Sequence, residues 1–467
     1  MEKYDLGIIG GGAGAFAAAI RADELGIKAV MINDGLPLGG TCVNVGCVPS
    51  KTLLHAAERI SQASQHEVPG VDLSVERADF ATAITEELAL VEQLRTEKYE
   101  QVLRGLGHVT LIEGFARFTS DNAVEVNGQT IEAEKFIITT GSKATVPQIE
   151  GIQEVGYFTH IEALKLKELP EALAVIGAGP IGLELGQIYS RFGSKVTILQ
   201  RGNSIMPKVE TELTDRLEQS LMDEGIAVVK GVQVTKATLD GDKKVLTYTD
   251  ETGEHTLIVD EILVAAGKTP NTASLGLEEI GVDVDDKKAI VTSATLQTSQ
   301  PHIYAVGDVT NLPLRLETTA GKEGTIAVDN AFKGTDKVVD YKAVPWAVFT
   351  DPAIASVGYT EEEQMAELNA CACRTVTFDK VSKALITGRT EGVIRMAIHP
   401  ETRVVMGVHI LAPDAADLIA QAMVHVKNKN TIEDIIDTLP VFPTMSEAIK
   451  IAAISFTKDV SKMSCCT

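Results

Sequence analysis

The stretch GGTCVNVGCVPSK places Cys42 and Cys47 five residues apart in a chain with only six cysteines among 467 residues. That spacing is wrong for most zinc ribbons, and no neighbouring His or Cys completes a metal site. Glycines flank the pair and a helix-forming run follows, so a curl at the helix start allows a short disulfide loop. A helix N-terminus there also stabilises a thiolate and lowers its pKa. From these residues alone two readings stand: inert buried thiols, or a redox-active pair. A second pair, Cys465 and Cys466, ends the chain in SKMSCCT. Adjacent cysteines make poor structural disulfides because the ring they close is strained, whereas thiolates select soft metal ions. Cys371 and Cys373 in NACACRT are spaced for one face of a strand and read as ordinary surface or half-buried residues.

The elements that must position these thiols begin with YDLGIIGGGAGAFAAAIRADELGIKAVMIND, a strand, glycine turn, helix and second strand. Gly10, Gly12 and Ala15 fill the three positions of a dinucleotide fingerprint. The first permits the turn, the second lets backbone approach a pyrophosphate, and the helix N-terminus supplies N–H groups and a favourable dipole. Asn33 and Asp34 end the second strand, and Asp34 is preferred as the acid on a ribose hydroxyl. The unit recurs in ALAVIGAGPIGLELGQIYSRFGSKVTILQR with Gly177, Gly179 and Gly182, which implies two dinucleotides on one chain. Its second strand ends in Gln200-Arg201 instead of an acid. A missing carboxylate beside Arg201 suits a ribose 2′-phosphate and favours NADPH over NADH.

The length suggests about three domains. Residues 1–146 with a returning segment, 271–335, form one unit around the first cradle, and 147–270 a second inserted in it. Residues 336–467 turn to strands such as GVIRMAIH followed by helices, a mixed α+β unit. The fold class expected is α/β, with two Rossmann-like dinucleotide-binding domains and an α+β C-terminal domain. Apolar residues at 45% and charged residues at 23% fit a globular enzyme. A net charge of -23 disfavours nucleic acid and anionic membranes as partners. No run approaches the roughly 18 apolar residues of a membrane span. The N-terminus enters a strand at once without the regions of a signal peptide, so the expected location is cytoplasmic, where cysteine pairs are more often catalytic or metal-binding than structural.

GGTCVNVGCVPSK, the two cradles, TTGSKATVP, AAGKTPNT and VGDVT together resemble the pyridine nucleotide–disulfide oxidoreductases over essentially the whole chain. The resemblance implies a homodimer with FAD in the first domain, NADPH in the second, and a C-terminal dimerisation domain. It makes Cys47 the thiol nearest the flavin and Cys42 the thiol that exchanges with substrate. Lys51 would lie by the flavin ring with Glu184 as its acid partner, and Asp308 would hold the ribitol. Gly10, Gly12, Gly14, Ala15, Asp34, Gly40, Thr41, Lys51 and Gly141 complete the implied FAD contacts. Gly177, Gly179, Gly182 and Arg201 are those for NADPH. Lys268 stands where many members carry Arg.

Disulfide reductases of this family usually carry His-Pro-Thr followed by Glu near the C-terminus, the His serving as general acid/base. The matching stretch is LPVFPTMSEAIK, with Pro443, Thr444 and Glu447 in place but Phe442 at the His position. A phenyl ring has no titratable proton. The tail FTKDVSKMSCCT resembles that of the mercuric reductases within this family, which capture Hg(II) with tail thiols and pass it to the partner subunit's inner pair. Those enzymes often place Tyr where Phe442 stands. Tyr157 in GYFTHIEAL is matched to another tyrosine they place by the metal. The implied activity is NADPH-dependent reduction of Hg(II), delivered as thiol complexes, with Cys42, Cys47, Cys465 and Cys466 as metal ligands. A thioredoxin-reductase-like use of the tail pair and a non-catalytic soft-metal-binding flavoprotein are the alternatives.

Overall fold

A computed structural model describes residues 3–65 and 70–464. Four parallel strands run in the order Val109–Glu113, Ala29–Asn33, Lys3–Ile9, Gln129–Ile138, and the last also pairs with Ile303–Ala305. The late segment thus returns to the first sheet, Ile303 opposite Phe136. Two antiparallel strands, Ala123–Val126 and Arg117–Ser120, extend that sheet on one side. Its central strands are apolar on both faces because both are covered, one by helices Ala13–Glu24 and Glu317–Lys333 and the other by the antiparallel strands and the segment 275–290. Helices Ala13–Glu24 and Glu317–Lys333 pack so closely that a Cβ on Gly324 would lie 2.3 Å from the Gly14 carbonyl oxygen.

The second unit repeats this plan with four parallel strands in the order Ala227–Lys230, Lys195–Gln200, Ala172–Ile176, Glu261–Val264. A three-stranded antiparallel sheet, Gln233–Asp240, Lys243–Asp250 and Gly253–Val259, packs against it. The last unit is a five-stranded antiparallel sheet ordered Trp346–Val348, Ala353–Gly358, Val405–Ala412, Val393–Ile398, Ala372–Thr377. Helices Ala415–Lys427 and Glu447–Ile454 share its core. Among the described residues no helix is long and apolar enough to cross a membrane.

A buried acid sits in the core without a partner. Glu87, on helix Phe80–Arg95, is wholly buried, and neither carboxylate oxygen has a hydrogen-bond partner. Burial pushes its pKa up to about 7, opposed by the charge of Lys165.

Candidate active site

Three glycines and one asparagine shape the cysteine segment. Gly39 (φ +93°) and Gly40 (φ +64°) take left-handed backbone that other residues resist, and they start the short helix Gly40–Val45 that carries Cys42. At Gly46 a Cβ would sit 2.9 Å from the Thr41 carbonyl oxygen. The chain then enters helix Cys47–Gln65, with Cys47 as its first residue. Asn44, buried between the two cysteines, donates to the carbonyls of Pro37, Leu38 and Gly40 at 3.1, 3.1 and 2.8 Å. It thereby ties the loop to the helix it leads into.

Both thiols are free; Cys42 is half-buried and Cys47 exposed. A hydrogen bond from Cys42 holds the Cys47 thiol below its ordinary pKa, with the charge of Lys51 adding to the effect. Cys42, donating that bond and partly desolvated, is held well above its ordinary value. The pair therefore shares one proton, kept on Cys42, and the thiolate is Cys47.

Lys51 follows Cys47 by one helical turn, which puts both on the same face. Its Nζ lies 2.7 Å from Glu184 Oε2 and 4.6 Å from the centre of the Phe349 ring. Glu184, on helix Pro180–Phe192, also accepts from the Phe349 backbone N–H at 2.9 Å. Residues from all three units of the chain thus meet beside the cysteines. Lys268 reaches His160 Nε2 at 3.2 Å. Burial, then the lysine's charge, pushes the His160 pKa down to about 4, so the ring is neutral and accepts that bond.

Two residues that sequence reasoning missed stand next to the pair. Burial comes first, and the charges of Glu317, Cys42 and Cys47 follow, in pushing the Tyr99 hydroxyl up to about 12. Its ring meets Phe16 edge-on at 4.9 Å. Glu317, the first residue of helix Glu317–Lys333, raises both thiols through its charge. A cleft of about 550 Å³ is lined by Phe16, Tyr99 and Glu317. Tyr157, by contrast, packs against the core of the second unit. Tyr99 is the phenol whose titration the charges of Cys42 and Cys47 affect. Glu317→Gln is expected to shift thiolate formation at Cys47 to lower pH, read from the pH profile of its alkylation. An unchanged profile would remove Glu317 from the site.

The cradles fit the groups they are expected to hold. Gly10 (φ +130°) sits where a Cβ would meet the Thr139 carbonyl oxygen at 2.3 Å, and Gly177 (φ +110°) repeats this against Ala265 at 2.6 Å. Helices Ala13–Glu24 and Pro180–Phe192 begin at Gly12 and Gly179 with no side-chain cap. Among the described residues, none beyond its own chain neighbours comes within 4 Å of a Cβ placed on Gly179. Backbone N–H groups are thus open to a pyrophosphate in both cradles. The close-packing positions are filled by Ala15, wholly buried, and Gly182, whose Cβ would strike the Gly177 carbonyl oxygen at 2.0 Å.

A cleft of about 970 Å³ runs over the first cradle past Gly10, Gly12, Asp34, Gly40, Thr41 and Gly141. Asn33 also lines it, turned back onto the Leu36 carbonyl at 3.0 Å. Asp308 accepts from Ser142 Oγ at 2.7 Å. Gln200 is spent on the second turn, accepting from Ala178 N–H at 3.1 Å, while Arg201 is exposed with no ion pair among the described residues. Phe442 is exposed alongside Leu439 and Val441. Glu447 accepts the Thr444 backbone N–H at 2.7 Å. Cys465 and Cys466 lie outside the described residues. Cys371 and Cys373, read as ordinary residues from the sequence, are joined as a disulfide.

The pattern described as pyridine nucleotide-disulphide oxidoreductase matches residues 4–331, and the dimerisation domain of the same family matches 344–453. A mercuric reductase of Lysinibacillus sphaericus is 40% identical over 465 residues, covering 100% of this chain and 85% of that protein. One of Staphylococcus aureus is 40% identical over 464 residues, covering 99% and 84%. The HOCl-induced flavoprotein disulfide reductase RclA from Escherichia coli shares the fold with a TM-score of 0.86 at 28% identity, covering 97% of this chain and 100% of that one. The dimerisation-domain match supports a homodimer. The chain belongs to the pyridine nucleotide-disulphide oxidoreductase family, among relatives named mercuric reductase, and is an oxidoreductase that uses FAD and NADPH.

Proposed function

We propose that the chain reduces Hg(II), presented as thiol complexes, to Hg(0). The observation that carries this reading is a poised Cys42–Cys47 pair combined with Phe442 where a disulfide reductase needs an acid/base. The name shared by relatives similar over the whole chain supports it. FAD in the first cradle and NADPH in the second supply the two electrons when bound.

The chain's own residues handle the metal. The Cys47 thiolate and Cys42 displace two small thiols from Hg(II), the Cys42 proton leaving with one of them. Hg(II) is then held by both sulfurs, two electrons convert it to Hg(0), and the two thiolates released take up one proton from solvent to restore the pair. Lys51, fixed by Glu184 and Phe349, balances charge at Cys47. Tyr99 keeps its proton and offers a hydrogen bond beside the pair. The cleft lined by Tyr99 and Glu317 is the route of approach. Because a metal ion replaces a disulfide as acceptor, no leaving thiolate requires a proton from residue 442. Cys465 and Cys466 capture Hg(II) on one subunit and deliver it to the inner pair of the other, and the enzyme works in the cytoplasm.

The test is anaerobic NADPH oxidation by the flavoprotein with Hg(II) in excess small thiol, trapping volatile mercury. Oxidation matched by released Hg(0) is expected. Turnover of thioredoxin or an aromatic disulfide without metal-dependent oxidation would replace this reading with the disulfide-reductase one. Changing Cys465 and Cys466 to Ala should lower the rate under competing thiols by roughly tenfold, the loss of a tethered donor. An unchanged rate would remove the relay.

A further inference from the structure

Cys371 and Cys373 lie on neither the cofactor clefts nor the active-site pair. Cys373 sits on Ala372–Thr377, an edge strand of the five-stranded sheet, and Cys371 directly precedes it. Both are half-buried and within reach of solvent. One carboxylate oxygen of Glu361 and the two sulfurs all lie within 4.8 Å of one another. Glu361 opens helix Glu361–Leu368 and is held from the other side by Arg395.

The surroundings suit the reduced pair. Gln364 is wholly buried, and its side-chain carbonyl oxygen faces Cys373 Sγ at 3.9 Å. Its amide nitrogen is committed elsewhere, donating to the Ile398 carbonyl at 2.7 Å and facing Met406 Sδ at 3.4 Å. A disulfide sulfur carries no proton, so the buried carbonyl gains a donor from Cys373 only when the bond is broken.

The geometry points to a second soft-metal site, in which reduced Cys371 and Cys373 bind Hg(II) as a dithiolate with Glu361 as an oxygen ligand. Two thiolates and one carboxylate suit a thiophilic ion better than zinc, whose structural sites take four protein ligands. Two small thiols reduce the disulfide, giving the protein dithiol and one small-molecule disulfide. The dithiol then takes Hg(II) from its two monothiol ligands, and its two protons leave with them. This site is separate from turnover and does not rest on the reductase reading.

The experiment uses the full-length flavoprotein with Cys42, Cys47, Cys465 and Cys466 changed to Ser, so that only this pair remains. After reduction by excess monothiol and its removal under argon, Hg(II) is titrated in competition with that monothiol. One Hg(II) per chain with an ultraviolet thiolate–mercury band is expected. Adding C371S and C373S should weaken retention by roughly a hundredfold, because the chelate is lost. E361Q should weaken it by a smaller factor. A folded, flavin-loaded four-serine protein that retains no more Hg(II) than the six-serine protein would overturn the site. Equal retention by the disulfide and dithiol forms would overturn it as well.

Discussion

Replacing Cys42 by Ala is expected to lower Hg(II)-dependent NADPH oxidation by about a thousandfold or more, on the order of 4 kcal/mol of barrier. Two effects combine. A single sulfur is left where two must displace both thiol ligands of the metal. The remaining Cys47 also loses the hydrogen bond that is the first cause of its lowered pKa. With the Lys51 charge and a backbone hydrogen bond left to favour the thiolate, and burial and Glu317 opposing it, its titration must move to higher pH. Cys47→Ser should be as damaging to turnover but opposite in the thiol profile. It removes the main cause that holds Cys42 up, so the Cys42 alkylation profile should move to lower pH. Rates of alkylation across pH, measured on both variants with flavin bound, check this. Shifts in the same direction would mean that the two thiols do not share a proton, and turnover within tenfold of the parent would end the dithiol mechanism.

What was legible in the sequence followed from local constraint. Gly10, Gly177 and Gly182 declare themselves by their spacing between a strand and a helix, although only Gly182 meets its own motif, at Gly177, while Gly10 and Gly177 are pressed by the distant Thr139 and Ala265. Cys47 and Lys51 are one helical turn apart, so their shared face could be read without a fold. Tyr99 and Glu317 were missed because 218 positions separate them in sequence, and only the packing of helix Glu317–Lys333 on Ala13–Glu24 brings their region to the pair. Phe349 contributes a backbone N–H and a ring face to the Lys51–Glu184 pair, and neither leaves a trace in residue type. The disulfide between Cys371 and Cys373 was also passed over, because two cysteines on one face of an exposed strand carry no signal for bonding until their neighbours are known.

Glu87→Leu is expected to stabilise the folded protein by on the order of 3 kcal/mol near pH 8. The glutamate is wholly buried on helix Phe80–Arg95, near Phe80 and Ile84, with both oxygens unpartnered. Its folded pKa is pushed up to about 7 from an ordinary value of 4.5, first by burial. Below pH 4.5 both the folded and the unfolded chain hold the proton, and the group is neutral toward stability on this account. Between 4.5 and about 7 the unfolded chain releases the proton while the folded one keeps it. The folded state then binds more protons, so stability falls as pH rises through that window and stays lower above it. Leucine is close in volume, has no proton to lose and needs no partner, and Lys165, the nearby cation, is already exposed to water. The gain should therefore be largest above pH 7 and shrink as pH drops toward 4.5. Glu87→Gln separates the two contributions: it removes the titration but keeps an unpartnered polar group, so its gain should be pH-dependent and smaller. Thermal midpoints of the flavin-loaded protein and both variants across this pH range decide the matter. A leucine variant whose midpoint does not rise, or rises equally at every pH, would show that the buried carboxyl is not the source of the cost.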